Sequence, residues 1–249
     1  RAFVLVVSTV LISSCGSKKD VVYFQNASSF ETIVSDNSNL NRFKIDDVLS
    51  INVSTLDPQA SVPFNIMKGI VEGGMRPEEL DYIIDKNGEI DFPVLGTVKL
   101  LGLSPGEAKT LLTERLKDYL KDPIINIRLK NFTVTVLGAV NRPGTYAVNG
   151  EQITVLEALG LAGDLNIKGM RENVMVIRDF NGTKVYTRID LTKKEVLNSP
   201  VYYLTQNDVV YVEPNKSLIA SATLDSRSSI ALSIASIIIT TTVVLITRN

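Results

Sequence analysis

Three acidic side chains that lie close together in the sequence are the first candidates for chemistry. Asp85, Glu89 and Asp91 fall within the stretch DKNGEID. Paired carboxylates of this kind serve as the general acid and the base or nucleophile of glycosidases. However, Glu89 and Asp91 are two positions apart, so on a strand they share one face, and the Asn87-Gly88 pair beside them is typical of an exposed hairpin turn. The spacing therefore favours solvated side chains over a catalytic pair.

The amino-acid composition excludes most other kinds of catalytic and metal-binding site. The 249 residues include no histidine, which excludes a histidine general base, a Ser-His triad and the commonest metal ligand. The single cysteine, Cys15, excludes an intramolecular disulfide and a multi-cysteine zinc site. A net charge of -1 does not supply the basic surface that nucleic acids require. We therefore predict no enzymatic activity, no catalytic residue, no cofactor, no metal and no nucleic-acid partner.

The position of Cys15 indicates a different chemistry, which is acylation. A basic residue is followed by a short uncharged apolar run, Ala2–Ile12, and by the small residues Ser13-Ser14. This order is typical of a secretory signal, and the stretch LISSC resembles a bacterial lipobox. We therefore predict a lipoprotein signal peptide over residues 1–14 and a lipidated Cys15. The alternative is a cysteine inside a signal-anchor helix.

The tail of the chain, Ser228–Thr247, is a run of 20 residues without a charge. As a helix it would be about 30 Å long, the thickness of the hydrocarbon core of a bilayer, so we predict a transmembrane helix over 228–247. Four of its hydroxyl residues would form one stripe on that helix: Ser229, Ser233, Ser236 and Thr240. One interpretation is a plain anchor whose hydroxyls bond back to the backbone. We favour the other, in which the four residues line a pore or pack against a neighbouring helix, because a lipid on Cys15 makes a second anchor redundant.

The elements upstream of this tail fall into two units, after an edge strand predicted at Val21–Phe24. The first unit is predicted to contain a strand, a hairpin around an Asn-Gly turn, a further strand, a helix that begins with a capping box, and a last strand. These elements are Phe43–Val53, Tyr82–Ile84 with Glu89–Phe92, Val94–Leu101, the helix capped by Ser104 and Glu107, and Ile124–Leu129.

The second unit is predicted to be a small mixed sheet that holds one helix. Its elements are Thr133–Val140, Thr145–Val148, the helix Val155–Ala162 capped by Thr154, a hairpin of Val174–Arg178 with Lys184–Ile189, Tyr202–Leu204 and Val209–Val212. The sequence of Asp208–Val212 in this unit is weakly similar to that of Asp47–Ile51 in the first unit.

Residues 81–129 resemble the signature of the polysaccharide biosynthesis/export family of bacterial outer-membrane lipoproteins. The matching residues are Asp85, Gly88, Ile90, Pro93, Gly96, Gly102, Ser104, Glu107, Leu116, Tyr119, Asp122 and Pro123. Residues 136–146 and 156–163 are similar to the SLBB (soluble-ligand-binding β-grasp) module that follows in the same proteins. The chain departs from the family at Ile45-Asp46-Asp47, where Pro-Gly-Asp is usual, and at Leu161–Asp164, where two glycines are common.

The resemblance implies an α+β fold, with a small export domain, one β-grasp (SLBB-like) domain and the C-terminal transmembrane helix. The boundaries that we predict are a signal peptide over 1–14, a tether and linker over 15–41, the export domain over 42–130, the SLBB β-grasp domain over 131–213, a linker over 214–227 and the transmembrane helix over 228–247.

The same resemblance implies a subunit of an outer-membrane translocon for capsular or exopolysaccharide. Such proteins form a ring-shaped homo-oligomer that encloses a periplasmic cavity, and their C-terminal helices form a barrel through the outer membrane. The implied inner-membrane partner is a polysaccharide co-polymerase or tyrosine kinase, and the protein would be lipid-anchored with its main body in the periplasm. The alternative is a periplasmic glycan- or ligand-binding scaffold lipoprotein that is anchored in the outer membrane.

Overall fold

The computed structural model describes residues 21–29, 32, 41–67, 80–180, 182–217 and 226–248. Within the last range it describes the side chains at 230, 233–241, 243 and 244. The predicted signal peptide and Cys15 lie outside the described residues. The described chain contains two mixed α and β units, each with its own buried core, and a C-terminal helix.

The first unit is built on a three-stranded antiparallel sheet with the strand order β2-β1-β5. Its elements are β1 (Val48–Ser54), α1 (Pro58–Ser61), a 3-10 turn (Val62–Phe64), β2 (Tyr82–Ile83), β3 (Glu89–Phe92), β4 (Gly96–Lys99), α2 (Pro105–Leu116) and β5 (Ile124–Leu129). Leu49, Ile51 and Val53 of β1 are buried, and the residues between them are half-buried. This alternation confirms the predicted half-buried strand, because successive side chains of a strand point to opposite faces.

The helix α2 covers the buried face of this sheet and begins as the sequence predicts. The Glu107 carboxylate accepts a hydrogen bond from the backbone N–H of Ser104 at 2.7 Å, and the Ser104 hydroxyl oxygen accepts one from the N–H of Glu107 at 3.2 Å. This capping box satisfies two N–H groups that the first turn of a helix leaves without partners. Ala108, Leu112 and Leu116 are fully buried in the core of the unit.

The predicted hairpin around Asn87-Gly88 is wrong in its strand pairing. The turn itself is present, since the Gly88 N–H donates to the Asp85 carbonyl at 2.9 Å. However, β2 pairs with β1, and β3 pairs with β4. The pairing of β2 with β1 places Tyr82 in the core at 5% exposure. The chain reverses direction between β3 and β4 through positive φ angles at Val94 (68°) and Gly96 (71°).

The second unit is built on a five-stranded mixed sheet with the order β10-β9-β12-β6-β7, in which β12 and β6 are parallel. Its elements are β6 (Thr133–Gly138), β7 (Gly144–Ala147), β8 (Ile153–Thr154), α3 (Val155–Leu161), β9 (Gly169–Phe180), β10 (Thr183–Ile189), a 3-10 turn (Lys194–Asn198), β11 (Tyr203–Leu204) and β12 (Val209–Pro214). The mixed sheet, the β9-β10 hairpin and the capping box of Thr154 with Glu157 are confirmed. The prediction that Tyr202–Leu204 joins this sheet is wrong, because β11 pairs with β8 in a separate two-stranded sheet.

The segment 21–29 lies on the second unit, although it precedes the first unit in the sequence. The Phe24 N–H donates to the Leu191 carbonyl at 3.2 Å, and the Gln25 N–H donates to the Thr192 carbonyl at 2.7 Å. The Tyr23 hydroxyl donates to the Asp164 carboxylate. The edge strand predicted at Val21–Phe24 is wrong, since the segment turns and Phe24 has a φ of 48°.

The C-terminal helix α4 spans Ser226–Arg248, so the predicted helical conformation of the tail is confirmed. The residues from Ser233 to Thr241 are all exposed. Among the residues that the structure describes, no helix has the combination of length and apolarity that a membrane span requires. The predicted transmembrane helix over 228–247 is therefore not supported.

Candidate ligand groove between the two domains

The same turn precedes the strand β1 in the first unit and the strand β12 in the second. Asp47 accepts a hydrogen bond from the N–H of Lys44 at 2.9 Å, and Asp208 accepts one from the N–H of Thr205 at 2.8 Å. The residues before these aspartates have nearly equal positive φ angles, 66° at Asp46 and 65° at Asn207. Asp and Asn adopt this left-handed conformation more readily than other non-glycine residues. The weak similarity between the two stretches of sequence thus marks a repeated turn.

The two turns meet each other at the junction of the units. The Lys44 ammonium group donates to the Gln206 carbonyl at 3.4 Å, and the Gln206 side chain lies near the Asp47 carboxyl and lowers its pKa. The residues Asp47 and Gln206 are 2% and 5% exposed. Asn131 in the connection between the units holds the first turn in place, since its amide donates to the Asp46 carbonyl at 3.0 Å.

The two buried aspartates have different electrostatic surroundings. Asp208 is fully buried and receives the Arg178 guanidinium, from Nε at 3.0 and 3.1 Å and from Nη2 at 2.7 Å. Asp47 has no ion pair within the described part of the chain. Burial therefore raises the pKa of the Asp47 carboxyl to about 6, even though the hydrogen bond from Lys44 opposes this rise.

A groove of about 1150 Å³ opens beside this junction, and both units line it. Phe43 and Phe132 are buried beneath it, whereas Phe180 at the end of β9 is 67% exposed. Arg128 from β5 and Glu151 from the second unit add one charged group each. A concave site that mixes an apolar floor with a few polar groups is the usual form of a small-molecule or oligosaccharide site.

Three of the six charged residues that line the groove belong to ion pairs, and a fourth, Lys44, donates to the Gln206 carbonyl. Arg42 binds the Glu107 carboxylate at 3.0 Å, Arg178 binds Asp208, and Lys184 binds the Asp179 carboxylate at 2.5 Å. Arg128 and Glu151 are both exposed and form no ion pair with a residue that the structure describes. These two charges are therefore available to a ligand.

The site residues predicted from the sequence do not contribute to this groove. Cys15 lies outside the described residues, and Ser229 lies in α4 with its side chain outside them. Ser233, Ser236 and Thr240 are exposed on α4. The Ser236 hydroxyl donates to the Ser233 carbonyl at 2.8 Å, and the Thr240 hydroxyl donates to the Ser236 carbonyl at 2.7 Å. Their assignment to pore lining or helix packing stays a prediction.

The acidic cluster near Asn87-Gly88 has a structural use in the turn. The Asp85 carboxylate accepts hydrogen bonds from the N–H groups of Asn87 at 2.9 Å and of Glu89 at 2.8 Å. Asp91 is exposed on β3. This geometry is that of an Asx turn, in which the aspartate stabilises the local chain reversal.

The groove residues were not found from the sequence because they come from distant parts of the chain. Arg128 occupies one of the exposed positions that alternate with buried positions along β5, and its neighbours in the sequence do not indicate a site. The one local signal is Phe180, a large apolar residue directly before the Asn181-Gly182 turn. Turn-flanking positions of a hairpin tip are normally solvated, so an aromatic residue there indicates a contact surface.

Comparison with known proteins agrees with the order of the two units. Residues 36–130 match the family described as polysaccharide biosynthesis/export protein, and residues 133–212 match the SLBB domain. The chain is similar to the EPS I polysaccharide export outer membrane protein EpsA of Ralstonia solanacearum, with 26% identity over 144 residues, which are 56% of this chain and 38% of that protein. It is also similar to the protein of the same name from Ralstonia nicotianae, with 27% identity over 127 residues, 48% of this chain and 33% of that protein.

The matched stretches thus span 38% and 33% of the length of these relatives. The two matched domains follow each other without overlap, and each coincides with one unit of the fold. Residues 36–130 thus form a polysaccharide biosynthesis/export domain, and residues 133–212 form an SLBB domain that follows it.

Proposed function

We propose that this protein is a subunit of an outer-membrane translocon that exports capsular or exopolysaccharide. The observation that carries the proposal is the presence of an export domain followed by an SLBB domain. The similarity to relatives that are named polysaccharide export outer membrane proteins supports it. The substrate is a polysaccharide, and the protein acts by conducting it rather than by changing it. The inner-membrane partner is a polysaccharide co-polymerase or a tyrosine kinase that delivers the polymer.

In this proposal export requires several copies, which together enclose a conduit for the polymer. The exposed helix α4 supports association between copies, since Ile234, Ile237 and Ile239 are 53–65% exposed and need an apolar covering. The stripe of Ser229, Ser233, Ser236 and Thr240 is made of small side chains, and small side chains let two helices approach closely. In the proposed oligomer this stripe packs against the α4 helix of the next copy or lines the conduit between copies.

Lipidation at Cys15 would hold the protein at the outer membrane with its main body in the periplasm. Several acyl chains on one cysteine give lasting attachment, because each buried CH₂ adds about 0.8 kcal/mol. The test is labelling with a fatty-acid probe. The intact chain should be labelled and the Cys15→Ser variant should not, whereas equal labelling of both would refute this anchor.

The groove favours a second candidate function, that of a periplasmic glycan- or ligand-binding scaffold. A groove of about 1150 Å³, in which Arg128 and Glu151 form no ion pair with a described residue, is a feature that a passive conduit does not need. The two functions differ in assembly. A conduit must form closed oligomers, whereas a scaffold can act as a single copy.

The experiment that tests the proposed function combines particle images with a measurement of export. Electron micrographs of the detergent-solubilised protein should show rings, and deletion of the gene should remove polysaccharide from the medium until the intact chain is supplied. Single particles together with unchanged extracellular polysaccharide in the deletion strain would overturn the proposal.

A further inference from the structure

The exposed ring of Phe180 is the most unusual surface feature of the groove. It ends β9 at the tip of the β9-β10 hairpin and is 67% exposed, although phenylalanine has no polar atom to place in water. Because this ring borders a concave groove, it offers a ligand a large and rigid apolar contact surface. A flat aromatic face matches the face of a pyranose ring that carries only C–H groups, because both surfaces are apolar and of similar size.

The charges beside this ring indicate what kind of molecule the groove accepts. Arg128 lies on β5 of the first unit, is exposed, and has no ion pair within the described ranges. A guanidinium group binds a carboxylate through two parallel hydrogen bonds, and this geometry favours a planar anion. An unpaired arginine at the wall of a groove therefore selects for a carboxylate.

Glu151 in the same groove limits how much negative charge a ligand can bring. Its side chain is exposed and is also without an ion pair to any described residue. A carboxylate repels a polyanion but accepts hydrogen bonds from neutral hydroxyl groups. Lys44 in the same lining is half-buried and donates to the Gln206 carbonyl. The exposed groove residues without an ion pair to a described residue therefore offer one cation and one anion beside the aromatic face. Together they fit a ligand that is rich in hydroxyls and carries a single carboxylate for each unit.

We propose that the groove between the export and SLBB domains binds an acidic sugar residue, a hexuronate, of a polysaccharide chain. In this site the Phe180 ring stacks on the C–H face of the sugar, the Arg128 guanidinium binds the carboxylate, and Glu151 accepts hydrogen bonds from sugar hydroxyls. The volume of about 1150 Å³ accommodates a short oligosaccharide. This inference rests on the proposed function, because it names the class of polysaccharide that the translocon carries.

The test uses the purified full chain, trigalacturonate and the fully methyl-esterified form of the same trisaccharide, in calorimetric titrations at low salt. The esterified form has the same rings and hydroxyls but no charge. Trigalacturonate should bind at least ten-fold more tightly than the ester, and added salt should reduce this difference, since exposed charge interactions are screened. Arg128→Gln should remove the preference for the acid, and Phe180→Ala should weaken both ligands about ten-fold.

Arg115→Gln is the matched control, because Arg115 is an exposed arginine on α2 that does not line the groove. It should bind both ligands as the unchanged protein does, and thermal melting should show that all variants are folded. Absence of trigalacturonate binding at millimolar concentration, or equal binding by the protein and both groove variants, would overturn this inference. If the intact chain restores export in the deletion strain, the proposed function stands even when trigalacturonate does not bind. The failure of this inference can therefore be distinguished from the failure of the proposed function.

Discussion

The Lys44 ammonium group of the export domain lies 3.4 Å from the Gln206 carbonyl oxygen of the SLBB domain. Each residue belongs to the turn that starts a central strand of its own domain, and the two turns have the same conformation. A repeated element therefore forms part of the contact between the domains. Since Asp47 is buried at this contact without an ion pair among the described residues, the junction is sensitive to protonation.

We predict that stability depends on pH through Asp47. Burial raises the pKa of its carboxyl from 3.8 to about 6, so between about pH 4 and pH 6 the folded protein holds a proton that the unfolded chain does not. The contribution of this group to stability therefore rises as the pH falls through 6 and is complete near pH 4. The groups that face it are Lys44 and Gln206, which lower the pKa of this carboxyl, and Asp46, which raises it.

The measurement is the melting temperature by circular dichroism from pH 4.5 to 8, for the unchanged protein and for Asp47→Asn. The difference between their pH profiles isolates this carboxyl from the other acidic groups. Relative to the unchanged protein, Asp47→Asn should gain stability most above pH 6. Asp91→Asn is the control, because Asp91 is exposed on β3 and is not among the groups that face Asp47, and it should follow the unchanged profile. Parallel profiles for Asp47→Asn and the unchanged protein would show that the buried carboxyl is not the sensitive group.

Arg178→Met should destabilise the SLBB domain by about 3–5 kcal/mol, because it leaves the charge of a fully buried aspartate without its partner. Asp208 is 0% exposed and receives three contacts of 2.7–3.1 Å from this guanidinium. Arg188→Met is the control, since its bond to Glu213 at 2.7 Å lies at the surface and should be worth less than about 1 kcal/mol. Urea unfolding measures both losses, and equal losses would contradict the special role of the buried pair.

Gly138→Ala should be far more damaging than Gly182→Ala, although both glycines have a positive φ. A Cβ atom at Gly138 would lie 2.1 Å from the Val212 carbonyl oxygen, whereas nothing lies within 4 Å of one at Gly182. Gly182→Ala should therefore cost only the left-handed backbone strain of about 1–2 kcal/mol. Gly138→Ala should cost more than about 3 kcal/mol, because the parallel pairing of β6 with β12 must open. Similar losses in urea unfolding would refute the steric explanation.

Replacing Ser233 and Ser236 together by leucine should reduce association between copies and block export. Both positions belong to the small-residue stripe of α4, and leucine would keep two helices apart. Ile234→Leu on the same helix is the control, because it changes shape but adds no volume to the stripe. Cross-linking of whole cells measures the oligomer, and extracellular polysaccharide measures export. Normal oligomers and normal export in the double variant would show that the stripe takes no part in the assembly.

Local patterns made parts of this fold predictable from the sequence. The capping boxes of Ser104 with Glu107 and of Thr154 with Glu157 depend on residues three positions apart, and both form as expected. The alternation of β1 likewise depends on neighbours, and its buried residues are those that the pattern indicated.

Contacts between distant residues were not predictable in the same way. The choice of β1 over β3 as the partner of β2 depends on burying Tyr82 in a core that the local sequence does not show. Likewise, Phe24 pairs with Leu191, which lies in the other half of the chain. The groove brings Arg128 and Phe180 together only because the two repeated turns dock, so no spacing in the sequence marks it.

The central claim is that the protein conducts polysaccharide across the outer membrane, and the distribution of newly made polymer tests it most directly. In cells depleted of the protein, pulse-labelled polysaccharide should accumulate in the periplasm and disappear from the medium, and the intact chain should restore release. Unchanged release into the medium would contradict the claim. Loss of labelled polymer from both compartments would also contradict it, because it would assign the protein to synthesis instead of export.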